Sequence, residues 1–214
     1  MRTTALLLAL AASAPVTASA QELLKPAARQ GFYIGGGLRQ ALLTSSDDDI
    51  GNLGLFLGGG FTLRFGQVVN DKLGIGLAIN NAGGSNDEWA GGFAALSLEM
   101  QLTPLPGEDF AIRGSIGVGG GGVTRAEGEE RDNDPPGAFG AVYTLGVSYE
   151  LFPWYEPDKY ETGGFAFTGF LEGILFPGGD LVTGGVMLGL EVTYWFGFQK
   201  SRLDLPPDAA FVED

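Results

Sequence analysis

Residues 184–198, GGVMLGLEVTYWFGF, alternate strictly between two sets of side chains. One set is Val186, Leu188, Leu190, Val192, Tyr194 and Phe196; the other is Gly185, Met187, Gly189, Glu191, Thr193 and Trp195. A period of two is the mark of a β-strand, whose successive side chains point to opposite faces. The stretch poses one question: which set meets apolar surroundings, and are those surroundings a protein core or a lipid bilayer?

The same rhythm recurs along the chain. Alternating apolar runs occupy 31–43, 51–67, 72–82, 90–103, 109–124, 137–152, 163–176 and 182–198, eight in all. No helical period runs through any of them. The breaks between them fall into two classes that take turns. One is compact or Pro-containing: GQVVND around Val69, TPLPGED around Pro106, and PWYEPDKYET at 153–162. The other is acidic: TSSDDD at 44–49, GGSNDE at 83–88, RAEGEERDNDPPG at 125–137 and PGGD at 177–180. Strands that reverse direction place the two classes at opposite ends. The even spacing predicts an all-β, eight-stranded antiparallel up-and-down sheet in a single domain, 31–198.

Composition decides the medium. In a soluble barrel the less apolar set meets water and is rich in Lys, Glu, Thr and Gln. Here it is mostly glycine and alanine. In 52–66, Leu53, Leu55, Leu57, Gly59, Phe61, Leu63 and Phe65 alternate with Gly54, Phe56, Gly58, Gly60, Thr62 and Arg64. In 139–151, Phe139, Ala141, Tyr143, Leu145, Val147, Tyr149 and Leu151 alternate with Gly140, Val142, Thr144, Gly146, Ser148 and Glu150. Small side chains suit a narrow interior, and large apolar ones project into lipid. A sheet in hydrocarbon has to close, because unpaired backbone groups there cost several kcal/mol each. Eight tilted strands close into a transmembrane β-barrel whose interior is just filled by side chains. Phe32, Phe65, Phe110, Tyr149, Phe165 and Phe196 fall on the outward set at one end of their strands, as an interfacial girdle requires. Trp89, Phe93 and Phe139 are the candidates for the opposite girdle.

The ends of the chain fit export. Residues 1–20, MRTTALLLALAASAPVTASA, carry a basic start, a short apolar stretch and the small-x-small site Ala18-Ser19-Ala20, the pattern of a signal peptide. The apolar run is too short for a membrane span, which needs ~20 residues. Removal of 1–20 leaves 11 basic against 26 acidic residues, a net charge of −15. Residues 21–30 are then expected to be a periplasmic leader and 199–214 a periplasmic tail, with the acidic breaks outside the cell. The chain has no cysteine and no histidine, which removes thiolate chemistry, the commonest general base and the commonest transition-metal ligand.

On these residues the chain resembles small Gram-negative outer-membrane β-barrels of the OmpA/OmpX type over 31–198. The resemblance implies an outer-membrane location, a lipid and lipopolysaccharide environment, and a monomeric barrel. Gly189, Val192, Tyr194 and Phe196 in the last run resemble the signal read by the barrel-assembly machinery, here followed by the tail QKSRLDLPPDAAFVED. Enzymes among barrels of this size generally rely on a histidine, so their mechanisms do not carry over. A serine and a carboxylate without a base make a weakly activated nucleophile. No cofactor is expected. The runs GGG at 35–37 and 58–60 and GGGG at 119–122 precede neither Lys-Ser/Thr nor a helix, and read as close packing rather than phosphate cradles. The acidic breaks hold Asp47, Asp48, Asp49, Asp87, Glu88, Glu127, Glu129, Glu130, Asp132, Asp134 and Asp180. They match no EF-hand spacing, and their sign opposes nucleic acid.

Two functional readings remain. One is a structural or surface-interaction barrel with a plugged polar lumen. The other is a channel for small solutes or hydrophobic compounds, of the OmpW-like kind. The inward set supplies Arg39, Arg64 and Arg113 against Glu99, Glu150, Glu172 and Glu191, charges of both signs, which favours the plug. Glu99 and Arg113, on either side of the Pro106 turn, are expected to be near cross-strand neighbours. Two stacked clusters are expected: these two with Arg64 and Glu150 nearer the periplasm, and Arg39, Glu172 and Glu191 above them.

Overall fold

The computed structural model describes residues 29, 31–70, 72–104, 109–125, 137–154 and 164–197. The expected signal peptide, the leader except Arg29, the segments 126–136 and 155–163, and the tail lie outside the described residues. Eight strands follow in chain order: β1 (Phe32–Asp47), β2 (Gly51–Asn70), β3 (Leu73–Ser85), β4 (Trp89–Leu102), β5 (Phe110–Arg125), β6 (Ala138–Leu151), β7 (Gly164–Gly178) and β8 (Leu181–Trp195). Each pairs antiparallel with its chain neighbour, and β8 pairs with β1 to close the barrel.

The strands are staggered. The ladder from Tyr33 runs through Gly66, Gly76, Glu99, Ser115, Thr144, Ile174 and Gly185 and returns to β1 at Leu43, ten residues further on. Closure with such a shear tilts every strand against the barrel axis. Residues level with one another are therefore not those equally far from a turn.

Four strands, β1, β2, β3 and β7, run further than their apolar runs. β1 continues to Asp47, and Ser45 pairs with Gly54 on one side and Thr183 on the other. Pro177 and Gly178 likewise belong to β7. What remains of three breaks is a tight turn closed by a side-chain carbonyl. Asp47 accepts the backbone N–H of Asp49 and Ile50 at 3.0 and 3.1 Å, Asn70 those of Lys72 and Leu73 at 3.0 Å each, and Asn86 those of Glu88 and Trp89 at 3.0 and 2.7 Å. Asp and Asn mimic a backbone turn in this way, so polar residues here end strands without loosening them.

The outer face is the greasy one. Val186, Leu188, Leu190, Val192, Tyr194 and Phe196 are all exposed, while Met187, Gly189, Glu191, Thr193 and Trp195 are buried inside. Phe32, Phe65, Phe110, Tyr149, Phe165 and Phe196 are exposed at the end where β1 begins and β8 ends. Trp154, Phe165, Tyr194 and Phe196 form a continuous row there, with neighbouring ring centroids 4.8–6.5 Å apart. Two expectations are corrected. Leu53 points inward: it is an extra residue between the pairs Ser46–Asn52 and Ser45–Gly54, and the bulge, with Gly54 at φ +91°, reverses the parity of β2 on either side of it. Trp89 and Phe93 are also inside, so only Phe139, 75% exposed, remains of the opposite girdle.

The interior is divided along the axis. The half away from the start of β1 is mainly apolar, packed with Leu43, Leu53, Phe56, Trp89, Phe93, Ile174, Phe176, Leu181 and Met187 around small alanines and valines, with Ser45, Asp47 and Thr183 buried at its far end. Phe93 and Phe176 stack at 6.2 Å. The half nearer the start of β1 is charged. The buried arginines and glutamates thus lie in one half only. Eight-strand closure leaves room for one layer of side chains across the axis, and large apolar ones fill the far half without needing partners.

Candidate functional site

The charged half is where this chain concentrates its chemistry. Arg39 (β1), Arg64 (β2), Glu99 (β4), Arg113 (β5), Glu150 (β6), Glu172 (β7) and Glu191 (β8) all point inward and are buried. Alternation puts them there, and the small residues between them make room. At Gly66 a Cβ would lie 2.5 Å from the Ile75 carbonyl oxygen and 2.6 Å from Cζ of Tyr33, so glycine leaves room for that ring.

Arg64 is the hub. Its Nε donates to both oxygens of Glu99, at 2.9 and 2.8 Å, and its Nη2 also bonds Glu99. Nη1 donates to Glu191 Oε1 at 2.5 Å and Nη2 to Gln101 Oε1 at 2.9 Å. Arg113 reaches Glu191 at 3.3 Å, Glu172 at 3.4 Å and Glu99 at 3.5 Å. Arg39 lies 3.8 Å from Glu172 and donates to Asn80 Oδ1 at 2.8 Å. Thr193 donates to Glu191 at 2.9 Å and Tyr33 to Glu99 at 3.2 Å. Aromatic faces complete the shell: Tyr33 lies 5.3 Å from the Arg64 guanidinium, and Phe170 lies 5.6 and 5.0 Å from those of Arg39 and Arg113.

The residues are thus one network, not two stacked clusters. Glu191 sits with Arg64 and Arg113 because the stagger of ten residues brings β8 down to their level. Glu99 and Arg113 are diagonal neighbours, Glu99 facing Ser115 and Arg113 facing Gln101. Glu150 does not pair with Arg64 directly. Gln101 links them, donating to Glu150 Oε1 at 3.1 Å, and the cation on Glu150 is Arg29, from the segment before β1. Among the described residues, Arg29 brings the interior arginines to four, against four glutamates. The surplus glutamate in the sequence was a signal that a fourth cation had to come from outside the strands.

Buried charges are tolerated only when paired and hydrogen-bonded, and each of these carboxylates is committed to a guanidinium. None is left to act as a base toward Ser97, Ser148 or Thr168, whose hydroxyls are buried without a hydrogen-bond partner. Among the described residues, no three acidic, His or Cys side chains stand together as metal ligands. The acidic residues described in the turns, Asp47, Asp48, Asp49, Asp87, Glu88 and Asp180, lie at the end away from the start of β1; the others fall outside the described residues. Of the expected assembly signal, Val192, Tyr194 and Phe196 form one outward stripe and Gly189 faces inward against Phe170.

This architecture has known relatives. Residues 4–155 match the model of the outer membrane protein beta-barrel domain. Ail, the attachment invasion locus protein of Yersinia pestis, is similar in structure with a TM-score of 0.52 and 16% identity, over 77% of this chain and 99% of Ail. Neisserial surface protein A is similar with a TM-score of 0.50 and 12% identity, over 78% of this chain and 98% of its own. No curated protein sequence matches the chain. With its lipid-facing outer surface and closed eight-stranded sheet, the chain belongs to the outer membrane protein beta-barrel domain family and resides in the outer membrane.

Proposed function

We propose that this protein is a plugged barrel with a structural or surface-interaction role and no catalysis. The observation that carries the reading is the filled interior: a charged layer whose members neutralise one another, backed by a layer of large apolar side chains. A solute crossing it would have to separate paired buried charges and then displace rings. The absence of histidine and cysteine from the sequence supports the non-catalytic part. In this reading the termini are periplasmic, the acidic turns face outward, the barrel is a monomer delivered by the barrel-assembly machinery through Gly189, Val192, Tyr194 and Phe196, and its surroundings are lipid and lipopolysaccharide. Its charge opposes nucleic acid. Conductance of the purified protein in a planar bilayer tests the plug. No stable current is expected; a large stable current would replace it with the channel reading.

A further inference from the structure

We propose that the barrel mouth at the start of β1 is a guanidinium-binding site, filled in cis by Arg29, which closes the interior from that side. The inference stands apart from the plug, since it concerns a group that does not belong to the barrel wall.

The site is built from buried parts. Glu150 is fully buried, and its two oxygens are divided: Gln101 donates to Oε1 at 3.1 Å, and the Arg29 Nε–H bonds Oε2. Among the described residues Arg29 is the one cation paired with Glu150. The Phe152 ring lies 5.6 Å from the Arg29 guanidinium, so the site offers a carboxylate and an aromatic face, the two groups that suit a planar cation. Tyr33 and Trp195, with centroids 4.8 Å apart, wall one side of the mouth. The cleft left beside Arg29, between Val68, Gln101, Thr103 and Trp195, has a volume of about 10 Å³, no more than one water occupies.

The backbone turns at Gly31, just before β1. Its φ is +75°, and a Cβ there would lie 2.9 Å from the carbonyl oxygen of Gly197. Its own carbonyl accepts the Val68 N–H at 2.9 Å. Glycine is therefore required where the chain passes between β2 and the end of β8. Beside Glu150 lie groups with spare polar capacity. Thr168 pairs across the ladder with Glu150, and the buried hydroxyls of Thr168 and Ser148 have no hydrogen-bond partner. A side chain that left the mouth would open these groups to water and strip Glu150 of its cation.

The chain has no cysteine, so a single thiol is a clean reporter. Thr168→Cys in the full mature protein, in detergent, should react slowly with a small charged methanethiosulfonate reagent. Adding Arg29→Ala should raise the rate at least about tenfold, as local opening exposes the site, and Arg29→Lys should lie between. Ethylguanidinium at ~20 mM, well above the roughly millimolar Kd of a small fragment, should restore slow labelling to the Arg29→Ala protein and leave the parent unchanged. A second reporter, Val142→Cys in the apolar half, should stay slow throughout. Equal rates with and without Arg29 would overturn the proposal. So would failure of ethylguanidinium to protect, or a parallel rise at Val142→Cys, which would mean general loosening. None of these readings depends on whether the barrel conducts.

Discussion

Glu99→Gln is the sharpest probe of the charged layer. It keeps the side chain's shape and removes one charge. Glu99 takes three N–H bonds from Arg64 and a hydroxyl from Tyr33, and lies 3.5 Å from Arg113. Its neutralisation leaves four buried arginines against three glutamates. Removing one partner of a buried pair costs about 3–5 kcal/mol. Arg64 keeps Glu191 and Gln101, which places the cost near the lower bound, about 3 kcal/mol. With a urea slope of about 2 kcal/mol per molar, the unfolding midpoint should fall by roughly 1.5 M. Tryptophan fluorescence during equilibrium unfolding in detergent reads it directly. A double-mutant cycle then assigns the loss. Glu99→Gln with Arg64→Met should cost less than the two singles summed, by about 2 kcal/mol or more, whereas Glu99→Gln with Phe93→Ala, further along β4 in the apolar half, should be additive to within about 0.5 kcal/mol. Additivity in the first cycle would mean that the charges are separately hydrated, and the plug argument would fail with it.

Three further outcomes test the faces and the orientation. Leu57→Arg, on the outward face and 59% exposed to the surroundings, should cost about 2–4 kcal/mol in lipid, seen as a lower unfolding midpoint in vesicles; a cost equal to that of an arginine placed at Asp48 would argue against lipid contact there. Phe93→Ala removes a buried ring stacked on Phe176 and should cost about 3–5 kcal/mol; a near-neutral result in the same unfolding assay would show that the far half is not tightly packed. Protease added to intact cells should cut within 125–136 and spare 153–162 and 199–214, since polar loop tips are preferred cleavage sites; cleavage of the tail in unbroken cells would reverse the proposed orientation.

The parts of the fold legible in the sequence were those governed by a period of two. Val186 to Phe196 on one face and Gly185 to Trp195 on the other follow from alternation alone, and so do the seven inward charges. What alternation does not encode is where it breaks and how strands are offset. Leu53 was misplaced because a bulge at Gly54 looks, in sequence, like one more step of the pattern. Trp89 and Phe93 were misplaced because a ring serves a girdle and a core equally well. The level of Glu191 is not legible in the sequence because shear is a property of the closed ladder, not of any one strand. Arg29 lay in a segment without periodicity, and only the uneven count of arginines and glutamates pointed to it.

The unequal halves of the interior bear on the work of insertion. In the proposed orientation, with the termini periplasmic, the half holding Phe56, Trp89, Phe93 and Phe176 would lead into the bilayer and cross it fully. Those side chains are apolar on the way in, before the barrel has closed around them. An arginine at the bilayer midplane costs about 2–4 kcal/mol on the lipid face of a barrel. Arg64 and Arg113 lie in the parts of β2 and β5 nearer the start of β1, and Arg39 reaches only the middle of β1. They can therefore find their glutamates without passing through the far leaflet. The acidic turns must be carried across in any case; this arrangement of the interior adds no further charge to that passage.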